Sequence, residues 1–475
     1  MNSLNANINK LRPISCMIIG LIILNYLGFQ VQSALSFIIF CSFFFVLFFT
    51  DIVCAFVFAY TYHVNVVHFS GFSWLHLVSF TAMFLTLFRY KESYLLFKEN
   101  RSLKPLFIVA ILFMLFVLFI NLLGKGASPL EILRTSGYYL GFFTFIPAYY
   151  LALRFRKKLF SQLTLIAALF LCLYYCDLYF KLGIMHIGTS SRGDDFEITR
   201  IMGYDVRQFM IFYTYLLPAT IFMDIGNKKK AYLIVIAIFS YLIIILAVYR
   251  LAIFYVAMGA LTTFFFVARY INLSKLFMRI SVITLVLIAA LFLAGNIIDQ
   301  YTDIFQWTLN SFSSGSSDES ANIRFMIQLP ILQEMFNENM LTGAGLQTLL
   351  DEATENGMFG LVDLPILGTL AAFGIIGMFL YYFRFYIILS KKTSEFSRDK
   401  LFISKNKNDF FFFIALKAYF ITMITYRLFY ISWELTFEYQ QAEFGLFVGA
   451  YFALHKILHD KYRAQINYEE TKNGQ

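Results

Sequence analysis

The chain has 475 residues, of which 60% are hydrophobic and only 14% carry a charge. This composition excludes an ordinary soluble domain, which exposes far more charge, and it indicates a polytopic membrane protein. A net charge of +9 could suggest nucleic acid in a soluble protein. In a membrane protein it reports topology first, because Lys and Arg collect on the cytoplasmic side, so no nucleic-acid partner is expected.

Apolar segments follow one another closely along the chain, which favours one integral membrane bundle over several soluble domains. A spanning helix needs about 17 to 25 mostly apolar residues, and about fourteen segments approach that length. The candidate segments are 14–29, 33–48, 50–62, 70–88, 105–123, 132–153, 160–180, 206–225, 231–249, 251–268, 277–296, 361–389, 410–431 and 440–457. The first is interpreted as a retained helix, since no small-residue cleavage site follows it.

The basic clusters predict how the bundle is oriented. When both termini are placed inside and 33–62 is counted as a hairpin of two short spans, every cluster falls on the cytoplasmic side. Counting 33–62 as one long helix breaks that pattern at Lys10 and Arg12. The clusters are Arg89–Lys104, Arg154–Lys158, Lys228–Lys230, Arg269–Arg279, Lys391–Lys407 and Lys456–Arg463.

We therefore predict one integral membrane domain, 1–475, with both termini cytoplasmic. Its longest polar connection, 297–360, is a large external loop, in which we expect short helices that cap a cavity. The stretch 390–409 is a basic cytoplasmic loop, and 458–475 is a cytoplasmic tail.

Motifs of nucleotide, metal and redox enzymes are absent from the sequence. It contains no Walker A loop, no dinucleotide fingerprint, no HExxH and no CxxC pair. The five cysteines all lie in apolar segments, so no disulfide framework is indicated. His455 and His459, and the pair Asp194 and Asp195, are weak metal signals. The sequence predicts neither a metal nor another cofactor.

Arginines on the predicted external side are more informative. Among the residues of the loop 297–360 the acids are many, and Arg324 is the only base. Arg250 lies where one span ends and the next begins, with no polar loop between them. An arginine on this side opposes the positive-inside bias and has to be desolvated or paired. Each could be a snorkelling or salt-bridged residue. Several together predict a shared anion site, and the further members are Arg192, Arg200 and Arg207.

Guanidinium groups suit a diphosphate at a membrane surface. They bind phosphate through two parallel hydrogen bonds and stay charged when partly dehydrated. A nearby carboxylate could take the proton of an attacking sugar hydroxyl, and Asp363 is the candidate. Asp363 is equally explained as a helix N-cap before Pro365, and the two roles are compatible. Arg427 is a second-tier candidate, since it could simply pair with Glu434 two helical turns away.

Four short elements follow one another between residues 200 and 380. They are Arg200-Ile-Met-Gly203 before a span, Tyr249-Arg250-Leu251 between two spans, Arg324 followed by Leu341-Thr-Gly-Ala-Gly-Leu346, and Asp363 followed by Gly374-Ile-Ile-Gly377. In order and placement these elements resemble the motifs of the O-antigen polymerase and ligase-like proteins. One departure is Tyr249, where the family typically has Ser.

The resemblance implies an all-α polytopic membrane enzyme with a GT-C-like arrangement and without a metal. It implies that undecaprenyl-diphosphate-linked oligosaccharide units are joined into O-antigen, capsule or exopolysaccharide at the external face of a bacterial inner membrane. The catalytic residues would be Arg250, Arg324 and Asp363. The residues that bind the substrate diphosphate would be Arg192, Arg200, Arg207 and Arg427. The structural turns would use Gly203, Gly343, Gly345, Gly374 and Gly377.

Other functions stay open at this point. Ligases of the family carry histidine where this chain has Asp363, so the departure favours a polymerase over a ligase that moves finished polysaccharide to an acceptor. A precursor flippase or transporter would need charges near the bilayer midplane, whereas most charges here lie at the external ends. A non-catalytic scaffold would not need converging arginines. Besides the lipid-linked substrate and the bilayer, a protein that regulates chain length is a candidate partner.

Overall fold

The computed structural model describes residues 2–28, 33–70, 74–89, 103–123, 139–181, 188–192, 198–202, 207–246, 250–271, 329–345, 365–391, 394–429 and 438–473. Within these ranges the protein is helical apart from one β-hairpin. The helices are α1 (Asn2–Gly28), α2 (Ser33–Thr50), α3 (Ile52–Ser70), α4 (Trp74–Phe88), α5 (Leu103–Leu123), a 3-10 turn (Leu140–Thr144), α6 (Phe145–Phe180), α7 (Arg207–Phe222), α8 (Asn227–Leu246), α9 (Arg250–Ala268), α10 (Leu329–Glu338), α11 (Pro365–Leu389), α12 (Ser394–Ser397), α13 (Lys400–Lys405), α14 (Lys407–Phe429) and α15 (Glu438–Asn473). The strands are β1 (Gly188–Arg192) and β2 (Ile198–Met202).

The apolar helices indicate a membrane protein. In the described ranges four helical segments are long and apolar enough to cross a bilayer, namely Leu103–Leu122, Leu140–Asp177, Ile366–Leu389 and Lys407–Thr425. Six shorter apolar helices accompany them. The predicted span 277–296 lies outside the described residues. The predicted helical class is thus confirmed for the described residues and the apolar helices suggest a membrane protein, while the count of about fourteen spans stays a prediction.

The stretch 33–62 is a hairpin, as the charge pattern predicted. α2 and α3 meet at Asp51, whose carboxylate accepts a hydrogen bond from the Val53 amide at 3.1 Å and so caps the start of α3. The ring of Phe40 in α2 stacks on Phe58 and Tyr62 in α3, at centroid distances of 5.5 and 4.5 Å. These contacts bring the two ends of the stretch together.

The predicted break between 132–153 and 160–180 coincides with a kink. α6 begins at Phe145, and its backbone leaves helical geometry at Phe155 (φ −122°, ψ 27°), so that two helical segments meet there. The four basic residues around that point, Arg154, Arg156, Lys157 and Lys158, belong to the kinked helix.

Described residues of several basic clusters meet at one end of the bundle. Lys158 forms an ion pair with Asp51 at the α2–α3 turn. At the end of α4, Arg89 donates hydrogen bonds to the carbonyl oxygens of Phe48 and Phe49. The end of α4, the kink in α6 and the α2–α3 turn therefore lie together.

Helices later in the chain join the same end through Asp409, near the start of α14. Its Oδ2 lies 3.0 Å from Arg156 in α6 and 3.0 Å from Lys461 in α15. The side-chain oxygen of Asn408 accepts a hydrogen bond from the Asp224 N–H at 2.6 Å, and its side-chain NH2 group donates one to the Asp224 carbonyl at 2.9 Å. The α7–α8 turn therefore lies at this end as well. We call this region, with Asp51, Arg89, Arg156, Asp224, Asp409 and Lys461, the basic end.

Lys391, just past the end of α11, completes this region. Its ammonium group lies 5.1 Å from the ring centroid of Phe452 in α15, and burial lowers the pKa of Lys391 from its usual value. The contact places the end of α11 at the basic end and the start of α11, at Pro365, at the opposite end.

Two elements add detail to the sequence interpretation. The connection 181–206 contains the antiparallel hairpin of β1 and β2. α15 continues to Asn473, so most of the predicted tail 458–475 is a helical extension of the last span.

Candidate functional site

The β1–β2 hairpin brings two of the predicted arginines close at the level of the backbone. Arg192 pairs with Ile198, and Arg200 pairs with Ser190. Positions 192 and 200 are therefore diagonal neighbours across the two strands, a relation that puts Cα atoms roughly 7–8 Å apart. Along the chain, the hairpin ends at Met202, five residues before α7 begins at Arg207.

The starts of α7 and α9 lie at the same height along the bundle axis. Gly259 of α9 packs so closely on α7 that a Cβ there would come within 1.1 Å of the Tyr215 ring. That contact is eight residues along α7 from Arg207 and nine along α9 from Arg250. Both helices run toward the basic end, where Asp224 contacts Asn408 and Tyr270 packs on Phe410 at 4.8 Å. The two helices are parallel, and Arg207 and Arg250 begin them at the end opposite the basic end.

The electrostatics of these two helix starts favour an anion. The first residue of each helix is an arginine, and neither first turn contains an acid. A helix N-terminus carries a positive partial charge of roughly half an elementary charge, which normally attracts Asp or Glu. Arginine is an unusual residue at these two positions, because a helix N-terminus is a place where an anion is favoured.

The other predicted site residues divide into two groups. Arg427 lies two residues before the end of α14 at Phe429, at the same end of the bundle as Arg207 and Arg250. Gly203, Arg324 and Asp363 lie outside the described residues. Along the chain, Asp363 is two residues before α11, and Arg324 is five residues before α10.

Three of the glycines predicted as turns, Gly343, Gly345 and Gly374, meet in one motif. α11 is broken at Gly374, which has φ +60° and ψ −168°, and the chain segment that follows α10 lies against the break. The Ala344 and Gly345 amides donate to the carbonyls of Ala371 and Ala372, at 2.8 and 3.0 Å. In return, the Ile375 and Ile376 amides donate to the carbonyls of Met340 and Leu341, both at 3.1 Å. We call the segments 340–345 and 371–376 together the clasp.

Glycine is required at the centre of the clasp for two reasons. Gly343 and Gly374 both have positive φ, and the region that Gly374 occupies is open to glycine almost alone. A Cβ at Gly343 would lie 2.4 Å from the Phe373 nitrogen, and one at Gly374 would lie 2.4 Å from the Leu341 carbonyl oxygen. These neighbours are backbone atoms, which cannot rotate away.

Gly377 has a different role from Gly374. A Cβ at Gly377 would meet the ring of Phe116 in α5 at 2.5 Å and the Cβ of Phe373 at the same distance. The glycine lets α5 pack closely on α11.

Sequence reasoning missed a buried cation in α11. The Arg384 side chain is 1% exposed, and its guanidinium carbon lies 4.4, 4.7 and 5.0 Å from the ring centroids of Tyr381, Phe142 and Phe113. Arg384 lies seven residues before Lys391, about 10 Å from the basic end along the helix, so the charge is within the span. A lone arginine inside a predicted apolar run was the signal that could have found it.

A buried acid lies at the same depth as Arg384. Glu443 of α15 is 1% exposed, and the next residue, Phe444, packs on Phe385 and on Phe142 at 5.0 and 5.6 Å. The span therefore contains ionisable groups of both signs on neighbouring helices. Such groups within a membrane are functional candidates by default.

Two buried histidines join α3 and α4. His63 and His76 are both fully buried, with ring centroids 5.7 Å apart. The hydroxyl of Ser79 lies 2.9 Å from His63 Nδ1 and donates to the His76 carbonyl at 3.0 Å. Among the residues that the structure describes, no group of three or more His, Cys, Asp or Glu side chains is arranged to hold a metal ion.

Comparison with known proteins gives no family assignment. No protein-family model matches the chain, and no curated protein is significantly similar to it. The function therefore has to be argued from the residues of this chain.

Proposed function

We propose that this protein is a membrane glycosyltransferase that polymerises oligosaccharide repeat units carried on undecaprenyl diphosphate, with a GT-C-like arrangement of helices. The observation that supports this most is the collection of arginine positions opposite the basic end. Arg192 and Arg200 are diagonal neighbours on the hairpin, and Arg207 and Arg250 start two parallel helices that lack an acid in their first turns. A diphosphate is the anion that such a cluster suits.

The basic end sets the proposed orientation. It contains the predicted basic clusters, and by the positive-inside rule it would be cytoplasmic in a bacterial inner membrane. The arginines opposite it would then face the external side, where lipid-linked repeat units are joined. The C-terminus would be cytoplasmic, since the extension of α15 past Lys461 lies beyond the basic end, and Lys10 and Arg12 favour the same side for the N-terminus.

The proposed reaction is a single displacement at an anomeric carbon. A hydroxyl of one lipid-linked unit attacks the anomeric carbon of the donor chain, the new glycosidic C–O bond forms, and the bond from that carbon to the diphosphate breaks. Asp363 takes the hydroxyl proton, and the diphosphate leaves on its lipid. Arg250 and Arg324, helped by Arg192, Arg200, Arg207 and Arg427, would stabilise the charge that develops on the diphosphate.

Transport of a lipid-linked precursor is the second candidate, and a specific observation favours it. Arg384 and Glu443 are buried ionisable residues at the depth of the span, which is the feature that a flippase or secondary transporter needs. The ligase reaction is the remaining alternative within the enzyme class, since it uses the same donor.

Surface polysaccharide from deletion cells distinguishes these functions. Cells that lack the chain are compared on a gel with cells that carry Arg324→Ala and, as a matched control, Arg463→Ala, an exposed arginine beyond the basic end. The polymerase predicts a single repeat unit and no ladder in the deletion and Arg324→Ala strains, and a normal ladder with Arg463→Ala. Long polymer that stays on its lipid would identify a ligase. Lipid-linked units that accumulate on the cytoplasmic side would identify a transporter.

A further inference from the structure

The connection between α11 and α14 joins two candidate membrane spans at the basic end. α11 ends at Leu389 and α14 begins at Lys407, and both belong to helical segments that are long and apolar enough to cross a bilayer. The short helices α12 and α13 lie between them. The chain therefore leaves one span and enters the next through α12, α13 and the residues around them.

Two buried phenylalanines hold α12 and α13 at the height of the span ends. The ring of Phe396 is fully buried and its centroid lies 6.1 Å from that of Phe413 in α14, which is six residues, or about 9 Å, past Lys407. Phe402 is also buried and packs on Tyr462 of α15 at 5.2 Å. The headgroup region of a bilayer is about 5 to 8 Å thick on each side. These contacts place α12 and α13 in or next to that region.

The other face of α13 is exposed and combines an apolar side chain with cations. Leu401 is 70% exposed, and Lys405 lies one turn further along on the same face of the helix. Arg398 and Lys400 are exposed as well. An exposed apolar residue among lysines and arginines is typical of a helix that lies at the boundary between lipid headgroups and acyl chains.

Protein carboxylates do not neutralise these cations. In the part of the chain that the structure describes, Arg398, Lys400 and Lys405 form no ion pair, whereas Lys158 and Lys461 each have a carboxylate partner. The three side chains therefore differ from the paired cations of the basic end, and an anion from outside the protein can reach them.

The connection as a whole has a surplus of positive charge. Between residues 391 and 407 the sequence contains six Lys or Arg and two acids. One of these acids, Asp399, accepts hydrogen bonds from the Leu401 and Phe402 amides, both at 2.9 Å, and so caps the start of α13. Its carboxylate is directed at the backbone of α13, and the positive charge of the exposed side chains remains.

We propose that Arg398, Lys400, Leu401 and Lys405 form a docking site for an anionic phospholipid, whose headgroup binds the three cations while Leu401 contacts its acyl chains. Guanidinium and ammonium groups bind phosphate oxygens, and basic residues beside a membrane span attract anionic headgroups. Because the two flanking helices are candidate spans, lipid is the partner that lies next to this face. The inference depends on α11 and α14 crossing the bilayer and is independent of the proposed reaction.

Lipid binding to the full-length protein tests the cations of the site. The purified protein receives phosphatidylglycerol or phosphatidylcholine with identical acyl chains, and native mass spectrometry measures the affinity of the most tightly bound lipid. Lys400→Gln combined with Lys405→Gln should weaken phosphatidylglycerol binding about tenfold or more, because each cation near an anionic headgroup contributes several-fold. Phosphatidylcholine binding should stay unchanged. Arg463→Gln combined with Lys472→Gln is the matched control, which removes two exposed charges from the extension of α15 and should leave both affinities unchanged.

Leu401→Ser tests whether the partner has acyl chains. If Leu401 inserts among them, the polar substitution loses buried apolar area, and phosphatidylglycerol affinity should fall about threefold or more. Ile466→Ser is the control, since Ile466 is a partly exposed apolar residue on the extension of α15. A wild-type affinity in Leu401→Ser would overturn the proposed contact with acyl chains.

Hydrogen exchange in nanodiscs locates the site. The amides of 398–405 should exchange more slowly in nanodiscs that contain phosphatidylglycerol than in pure phosphatidylcholine, and Lys400→Gln combined with Lys405→Gln should abolish the difference. Identical exchange in the two lipids would overturn the proposal, and so would an equal loss of affinity in the control variant. If the wild type shows no lipid preference but binds a polyglutamate peptide that the double variant does not bind, the partner is an acidic protein and the lipid proposal is wrong.

Discussion

The two ends of the bundle handle positive charge in opposite ways. At the basic end the cations have protein partners, since Asp409 binds Arg156 and Lys461, and Lys158 pairs with Asp51. At the opposite end Arg207 and Arg250 start helices that have no acid in the first turn, where the helix dipole adds to the positive charge. The first arrangement pairs its charges within the protein, and under the proposed function the second would be stabilised by a bound diphosphate.

The largest effect is expected from Arg250→Ala. If Arg250 binds the donor diphosphate, its loss removes a charge-assisted contact that strengthens in the transition state, and kcat/KM should fall about 100-fold or more. Arg250→Lys should also impair the reaction, because lysine lacks the planar fork. The rate of polymer formation from lipid-linked units measures this. A wild-type rate in Arg250→Ala at an equal protein amount would remove Arg250 from the site.

Arg384→Ala tests the cation that is buried within the span, between the two ends of the bundle. The change deletes a large side chain that three aromatic rings surround, and the free energy of unfolding should fall by about 3–5 kcal/mol through the cavity and the lost cation–π contacts. Thermal unfolding of the purified protein measures the loss. Arg269→Ala is the control, since that exposed guanidinium touches one ring, Phe266 at 5.7 Å, and should cost about 0.5–1 kcal/mol. Equal losses of unfolding free energy in the two variants would contradict the claim that the burial of Arg384 makes it more important for stability than an exposed arginine.

Gly259→Ala tests whether donor binding depends on the position of the start of α9, at Arg250, relative to the start of α7, at Arg207. The new Cβ would overlap the Tyr215 ring and push α7 and α9 apart, at a cost of about 1–3 kcal/mol. We expect weaker binding of the donor in this variant, measured as a rise in KM. Gly226→Ala, which meets no atom within 4 Å, should change stability by less than about 0.5 kcal/mol. A normal KM in a Gly259→Ala protein of reduced stability would show that the spacing of the two helices is irrelevant to the site.

The smallest effect is expected at the basic end, from Asp409→Asn. The carboxylate is 18% exposed and its partners Arg156 and Lys461 are 20% and 45% exposed, so solvent screens the pairs and the loss should be about 1 kcal/mol. High salt should reduce the difference from the wild type. The polymer ladder should not change. If the ladder is lost while the protein amount is normal, the basic end takes part in the reaction, and the proposed difference between the two ends is wrong.

The sequence predicted the membrane class, the hairpin at 33–62 and the meeting of the basic clusters, because hydropathy and charge act over whole segments. It also predicted a break between two spans near Phe155, where the backbone of α6 leaves helical geometry. The clasp could not be foreseen. Its glycines signalled a turn, but the partner of Gly343 is an interrupted helix about thirty residues later, and only tertiary hydrogen bonds show that. Arg384 was readable as a charge in an apolar run, yet its depth and its aromatic neighbours were not.

The most direct measurement is the binding of undecaprenyl diphosphate to the purified protein in nanodiscs, with uncharged undecaprenol as the reference ligand. The account predicts that the wild type and Arg463→Ala bind the diphosphate much more tightly than undecaprenol, and that Arg250→Ala loses most of that preference. Equal affinity for the two lipids in the wild type, or an unchanged preference in Arg250→Ala, would contradict the claim that the end opposite the basic end is a diphosphate site.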